Sequence, residues 1–133
     1  MRLEGKTAIV TGGGRNIGRA ISKLFASEGA EVAIFDMDEG RAKGVVEEVV
    51  ELGGSAIYTV GQVNRVNDVK SMIQKAVDTY GKVDILVNCA AQVGGTGPSQ
   101  ALSDITHDKV WADMNVKVMG YLRCAQAVAP YMQ

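Results

Sequence analysis

Histidine, cysteine and proline are scarce in these 133 residues: one His107, the two cysteines Cys89 and Cys124, and two prolines. A single histidine argues against a histidine-based metal centre, and no metal site is expected. The two cysteines have neither metal-ligand nor redox spacing, so the plain reading is a reduced, cytoplasmic setting. No apolar run reaches the length of a membrane span, and the N-terminal MRLEGKTAIV has no apolar signal core. Charge of one sign is missing too. Lys plus Arg number 14 against 15 Asp plus Glu, which leaves no basic field for nucleic acid or an anionic membrane. There is no repeat, linker or low-complexity segment, and the length suits one domain, taken as residues 1–133.

Glycine, in contrast, is abundant, and it gathers in one stretch, Thr11 to Gly18, TGGGRNIG. An apolar run, Thr7 to Val10, precedes it and helical periodicity begins at Ile17. A strand, a glycine-rich turn and a helix in that order make a phosphate-binding junction. Glycines let the backbone approach a ligand, and the helix N-terminus offers free N–H groups and a positive dipole end. The dinucleotide fingerprint G-x-G-x-x-G is not met, because Ile17 stands where the third glycine belongs. A P-loop is not met either, since no Gly-Lys-Ser/Thr follows.

The remaining elements alternate. Lys6–Val10 is the first expected strand, and Ile17, Ala20, Ile21, Leu24 and Phe25 mark a helix closed by Gly29. EVAIFD, Glu31–Asp36, is the second strand; a helix bearing Val45, Val46, Val49 and Val50 runs to about Leu52. Ser55–Val60 is the third strand, followed by a helix through Val66, Val69, Ile73 and Val77 to Tyr80, ended by Gly81. Asp84–Val87, DILV, is the fourth strand. A loop from Gln92 to about Ser99, with Gly94, Gly95, Gly97 and Pro98, leads to a long helix from Thr106 that could bend near Asn115. This β-α-β-α-β-α-β-α order implies a doubly wound parallel α/β sheet with helices on both faces. Right-handed crossovers give strand order 3-2-1-4, with a ligand crevice where the order reverses. Asp36 ends the second strand at that edge, where a carboxylate can accept hydrogen bonds from ribose hydroxyls.

The pattern T-G-x-x-x-N-x-G resembles the T-G-x-x-x-G-x-G turn of the short-chain dehydrogenase/reductase family. Asn88-Cys89-Ala90-Ala91 resembles that family's Asn-Asn-Ala-Gly segment, matching at Asn88 and Ala90 and departing at Cys89 and Ala91. Gln62-Val63 stands in place of the Asp-Val pair that holds the adenine, and Asn115 matches the catalytic asparagine. Asn16 replaces the middle glycine of the turn; asparagine tolerates left-handed backbone and can hydrogen-bond a phosphate. The resemblance implies a Rossmann-type fold with Gly12, Gly14, Arg15, Asn16, Ile17, Gly18, Asp36, Gln62, Val63, Asn88 and Ala90 around the cofactor. It also implies Asn115 in a proton relay, a small alcohol or carbonyl substrate, and a homo-oligomer, dimer or tetramer. Asp36 repels a 2′-phosphate and Met37 carries no charge to neutralise one, which favours NAD; Arg15 is the feature that speaks for NADP.

Other polar residues have simpler readings: Cys89 and Cys124 as packed thiols, His107 as a surface residue beside the helix cap Thr106, Trp111 as a packing residue. What the resemblance requires but the chain lacks is a tyrosine with a lysine four residues on. Tyr58, Tyr80, Tyr121 and Tyr131 have none. The expectation is the cofactor-binding half of an NAD-dependent oxidoreductase, cut before the fifth strand, with the catalytic serine, tyrosine and lysine beyond Gln133. A non-catalytic nucleotide-binding or partner-binding module is the alternative.

Overall fold

The computed structural model describes residues 1–92 and 101–132. The glycine-rich stretch Gly94–Pro98 lies outside them. The described residues form strand β1 (Thr7–Thr11), helix α1 (Asn16–Ser27), β2 (Glu31–Asp36), α2 (Glu39–Glu51), β3 (Ser55–Val60), α3 (Val66–Tyr80), β4 (Ile85–Asn88) and α4 (His107–Val128). A short 3-10 turn, Leu102–Asp104, precedes α4 and another, Ala129–Tyr131, follows it. All pairings are parallel and the sheet order is β3-β2-β1-β4, as expected from the alternation. Strands β1 and β4 each begin and end one residue later than the apolar runs indicate. Asp84 sits outside β4 because its carboxylate accepts from the Thr7 N–H (2.8 Å) and its own N–H donates to the Thr7 carbonyl (2.9 Å).

Two apolar cores flank the central strand. One joins Ile9, Ala33 and Phe35 to α3 and to Cys124 and Val128 of α4; the other joins Val10, Val32 and Ile34 to α2 and Ala26 of α1. Strand β1 is buried along its whole length, the pattern of a strand covered on both faces. Cys124 is packed as expected, and burial pushes its thiol up to about 11.

Helix α1 turns a different face inward from the one its bulky residues suggest. Gly18, Ser22 and Ala26 are buried, while Ile17 and Leu24 are 70% and 58% exposed. Small residues at i, i+4 and i+8 let the helix lie close against the glycine turn, which large side chains would prevent. Helix α3 ends where Gly81 takes a left-handed φ of 80°. Helix α4 is one unbroken helix through Asn115, capped by Thr106 Oγ1, which accepts from Lys109 N–H. His107 is exposed, as expected. Trp111 is not packed among the described residues but 67% exposed. No helix among the described residues is long and apolar enough to cross a membrane.

Candidate functional site

The carboxyl ends of β1, β2 and β4 open on a cavity of about 350 Å³, within the range of small-ligand sites. Its walls are the turn after β1, the end of β2 with Arg41 of α2, the segment Gly61–Asn64 after β3, the segment Cys89–Gln92 after β4, and Val116 of α4. The order of the sheet reverses between β1 and its neighbours β2 and β4, so the cavity lies where a doubly wound sheet is expected to hold a ligand.

The turn is built by close approach. Gly12 has φ 64°, and a Cβ there would lie 2.9 Å from Ala90 Cα and 3.0 Å from Cys89 O. Only a glycine lets the two strand ends pass so near each other. Asn16, at φ 46°, is the only non-glycine residue with positive φ among those described. It holds the left-handed conformation that its side chain tolerates better than most. Arg15 is the N-cap of α1 but makes no side-chain cap bond, and the N–H groups of Asn16, Ile17 and Gly18 meet no acceptor among the described residues. Those donors and the helix dipole point to an anion at this end of the cavity.

Thr11, to which the sequence pattern assigns no role, joins the two strand ends. Its buried Oγ1 accepts from Cys89 N–H (3.1 Å) and Ala90 N–H (3.2 Å) and lies 3.3 Å from Val87 O, to which it donates. A hydroxyl at the last position of a buried strand was the available signal. Asp36 is 6% exposed, and its carboxylate accepts from Gly14 N–H (2.9 Å) and Asp38 N–H (3.0 Å). Two backbone donors thus fix its orientation, while each oxygen keeps a further lone pair for a ligand hydroxyl. Asn64, also missed, lines the cavity with a buried Oδ1 that has no hydrogen-bond partner. Its place directly after Gln62-Val63 was the signal.

Of the predicted residues, Gly12, Arg15, Asn16, Ile17, Gly18, Asp36, Gln62, Val63 and Ala90 are brought together on the cavity wall. Gly14 stands behind the wall, holding Asp36. Asn88 closes β4 opposite Thr11, its Oδ1 buried without a partner. Asn115 is not on the wall: Arg123 donates to its Oδ1 (2.8 Å) and to its main-chain carbonyl (3.1 Å). Tyr121 points inward and donates to Ala90 O (2.9 Å); burial first, and the Cys89 thiol second, raise its pKa. Among the described residues no three His, Cys, Asp or Glu side chains converge as a metal site.

The short chain dehydrogenase family profile matches residues 6–133. This chain belongs to the short-chain dehydrogenase/reductase family. It is 35% identical to the 7alpha-hydroxysteroid dehydrogenase of Escherichia coli strain K12 over 133 residues, all of this chain and 50% of that protein. A hydroxysteroid dehydrogenase structure from Escherichia coli superposes with TM-score 0.88 at 34% identity, covering 98% of this chain and 54% of that one. A short chain dehydrogenase from Burkholderia cenocepacia, solved in complex with NADP, gives TM-score 0.87 at 37% identity, with 99% and 53% covered. The chain therefore spans about half the length of the relatives it matches.

A short-chain dehydrogenase/reductase binds a nicotinamide cofactor, and the residues present here fit one. Free N–H groups at the start of α1 suit a pyrophosphate, the Asp36 carboxylate suits ribose hydroxyls, and the orphaned Asn64 Oδ1 suits a donor from the ligand.

Proposed function

We propose that this chain is the cofactor-binding domain, residues 1–133, of an NAD-dependent oxidoreductase that moves hydride between nicotinamide and a secondary alcohol or carbonyl. The observation that carries the reading is the cavity itself. Free helix-terminal N–H groups, a buried and oriented Asp36 carboxylate and the Gly12–Ala90 close approach all meet there.

In this reading the first turn of α1, with Gly12, Asn16, Ile17 and Gly18, binds the pyrophosphate. Asp36 accepts from the adenosine ribose hydroxyls, Gln62 and Val63 hold the adenine, and Ala90 and Val116 exclude water on the far wall. Thr11 keeps the β1 and β4 ends together, and so keeps Gly12 and Ala90 at their working separation. When bound, the nicotinamide supplies or takes the hydride. The proton partner is a tyrosine whose phenol, near 10 in water, must be lowered by a neighbouring lysine to work near neutral pH. None of the four tyrosines of this chain has that partner, so the reading places the pair beyond Gln133. Asn115 is assigned to the proton relay, with Arg123 holding its side chain.

A preference for NAD follows from Asp36. NAD is expected to bind about tenfold tighter than NADP, the order of one charge-assisted hydrogen bond forfeited or one like charge opposed. Asp36→Asn removes the charge but keeps an acceptor for only one of the two backbone N–H groups, and is expected to bring the two dissociation constants together. Titration of both cofactors into the protein at the length its gene encodes checks this; equal affinities in the unsubstituted protein would sink the preference. Asp36→Ala is expected to narrow the gap as well, but it also strips the acceptor from Gly14 and Asp38 and loosens the turn.

Self-association is proposed through α4. Trp111, Met114, Val118 and Leu122 form a stripe at helical spacing and are 67%, 40%, 54% and 47% exposed. Met132, at 37%, lies beyond the end of α4, and Tyr121 turns inward and is not part of the stripe. Trp111→Glu with Leu122→Glu is expected to reduce the sedimenting mass of the full-length protein to that of a protomer. An unsubstituted protein that already sediments as a monomer would count against the proposal.

A further inference from the structure

The segment that follows β4 is held from two sides. Thr11 Oγ1 accepts from Cys89 N–H (3.1 Å) and Ala90 N–H (3.2 Å). From the other side the Tyr121 hydroxyl donates to the Ala90 carbonyl (2.9 Å), a contact across 31 positions. Helix α4 comes this close because Gly120, next to the tyrosine, is buried: a Cβ there would lie 2.7 Å from Val63 Cγ2. The Tyr121 ring is half-buried, and its hydroxyl has no second partner among the described residues. Burial first, and the Cys89 thiol second, raise its pKa, so the phenol stays protonated at neutral pH and remains a donor.

A bond to a carbonyl fixes more than the carbonyl. In a planar trans peptide the C=O of one residue and the N–H of the next point in opposite directions. With Ala90 O tied to Tyr121, the Ala91 N–H is turned away from the tyrosine. That N–H meets no acceptor among the described residues, and Ala91 lies on the cavity wall. Asp36, after β2, is assigned to the adenosine ribose. The β4 end stands across β1 from it, on the side left for the other half of a dinucleotide.

We propose that Tyr121 is a positioning residue of the nucleotide site: its hydroxyl sets the plane of the Ala90–Ala91 peptide and so presents the Ala91 N–H to the nicotinamide half of the bound dinucleotide. This rests on the reading of the cavity as a nicotinamide-dinucleotide site. Thr11 fixes where the segment lies, through the amides of Cys89 and Ala90; Tyr121 fixes which way the next peptide faces. Without the hydroxyl that peptide is free to turn about Ala90 ψ and Ala91 φ. A carbonyl in place of the N–H would then repel an acceptor on the ligand instead of binding it. The tyrosine itself touches neither cofactor nor substrate in this role.

The test titrates NAD and adenosine 5′-monophosphate, which lacks the nicotinamide half, into the protein at the length its gene encodes. Tyr121→Phe keeps the ring and removes only the hydroxyl. It is expected to weaken NAD about tenfold, the order of one hydrogen bond whose partner is left unpaired, and to leave the monophosphate within about twofold. Tyr80→Phe is the matched control. It removes a hydroxyl paired with Ser55 Oγ (3.2 Å), away from the cavity wall, and is expected to leave both probes within about twofold. In the unsubstituted protein the Ala91 amide proton is expected to move downfield on NAD binding; a resonance that stays in place overturns the proposal. NAD affinity unchanged by Tyr121→Phe overturns the role of Tyr121 and leaves the nucleotide site standing. Equal weakening of both probes overturns it as well, because lost packing would act on the whole site. Failure of NAD to bind the unsubstituted protein overturns the nucleotide reading and the role of Tyr121 together.

Discussion

Gly18→Ala is expected to weaken cofactor binding by about a hundredfold and to lower stability by about 1–3 kcal/mol. The added Cβ would lie 2.0 Å from the Gly12 carbonyl oxygen, 2.7 Å from its carbon and 3.0 Å from Gly13 Cα. Every one of these is backbone, so no side chain can rotate away. Helix α1 must retreat by about an ångström, on the scale at which misplaced binding groups cost two orders of magnitude. Retreat also withdraws the free N–H groups of residues 16–18 from the place where an anion would sit. A matched control is Gly44→Ala within α2, where a Cβ meets nothing within 4 Å. There the gain in helix propensity is expected to stabilise the protein by about 0.5–1 kcal/mol. Thermal melts and cofactor titrations of both variants check the pair. A Gly18→Ala protein that binds like its parent would show that the α1–turn contact does not shape the site.

The second large effect concerns the 133 residues produced by themselves. They are expected to show no steady NAD-dependent alcohol oxidation and no clean monomer in solution. No tyrosine among them has a lysine four residues on, so no group is poised to exchange the hydroxyl proton at neutral pH. Association is expected for a structural reason. Among the described residues strand β4 pairs with β1 alone, and all four of its residues are only half-buried, whereas β1 is buried throughout. An open parallel edge presents unpaired N–H and C=O groups beside apolar side chains, which invites pairing with another chain. The exposed stripe on α4 adds a second adhesive surface, worth about 25 cal/mol for each Å² covered. Mass in solution and turnover, measured on one preparation, test both halves of the expectation. Steady turnover from a monomer would contradict both.

Periodicity and punctuation made much of the architecture legible. Strands β2 and β3 and helix α3 have the bounds their sequence indicates, because buried β-runs and helical spacing are local patterns ended by local signals such as Gly81. The left-handed backbone at Asn16 was readable for the same reason: few residue types accept that conformation, and the turn needed it there. The inward face of α1 was not readable from its large apolar residues. Hydrophobicity ranks Ile17 and Leu24 first, whereas the distance to the glycine turn selects Gly18, Ser22 and Ala26.

What the sequence by itself determined is the alternation of elements, hence the parallel sheet, its order and the edge at which a ligand belongs. Only the tertiary structure decided which side chains meet at that edge. Thr11 reaches Cys89 across 78 positions, Gly14 reaches Asp36 across 22, and Arg41 enters the cavity from a helix whose own pattern marks it as solvent-facing. The side chain of Asn115, matched by its motif, is held by Arg123 two turns along the same helix. The reason is physical: strand and helix patterns repeat over a few residues, while the crossovers of a parallel sheet bring together residues that no local pattern relates.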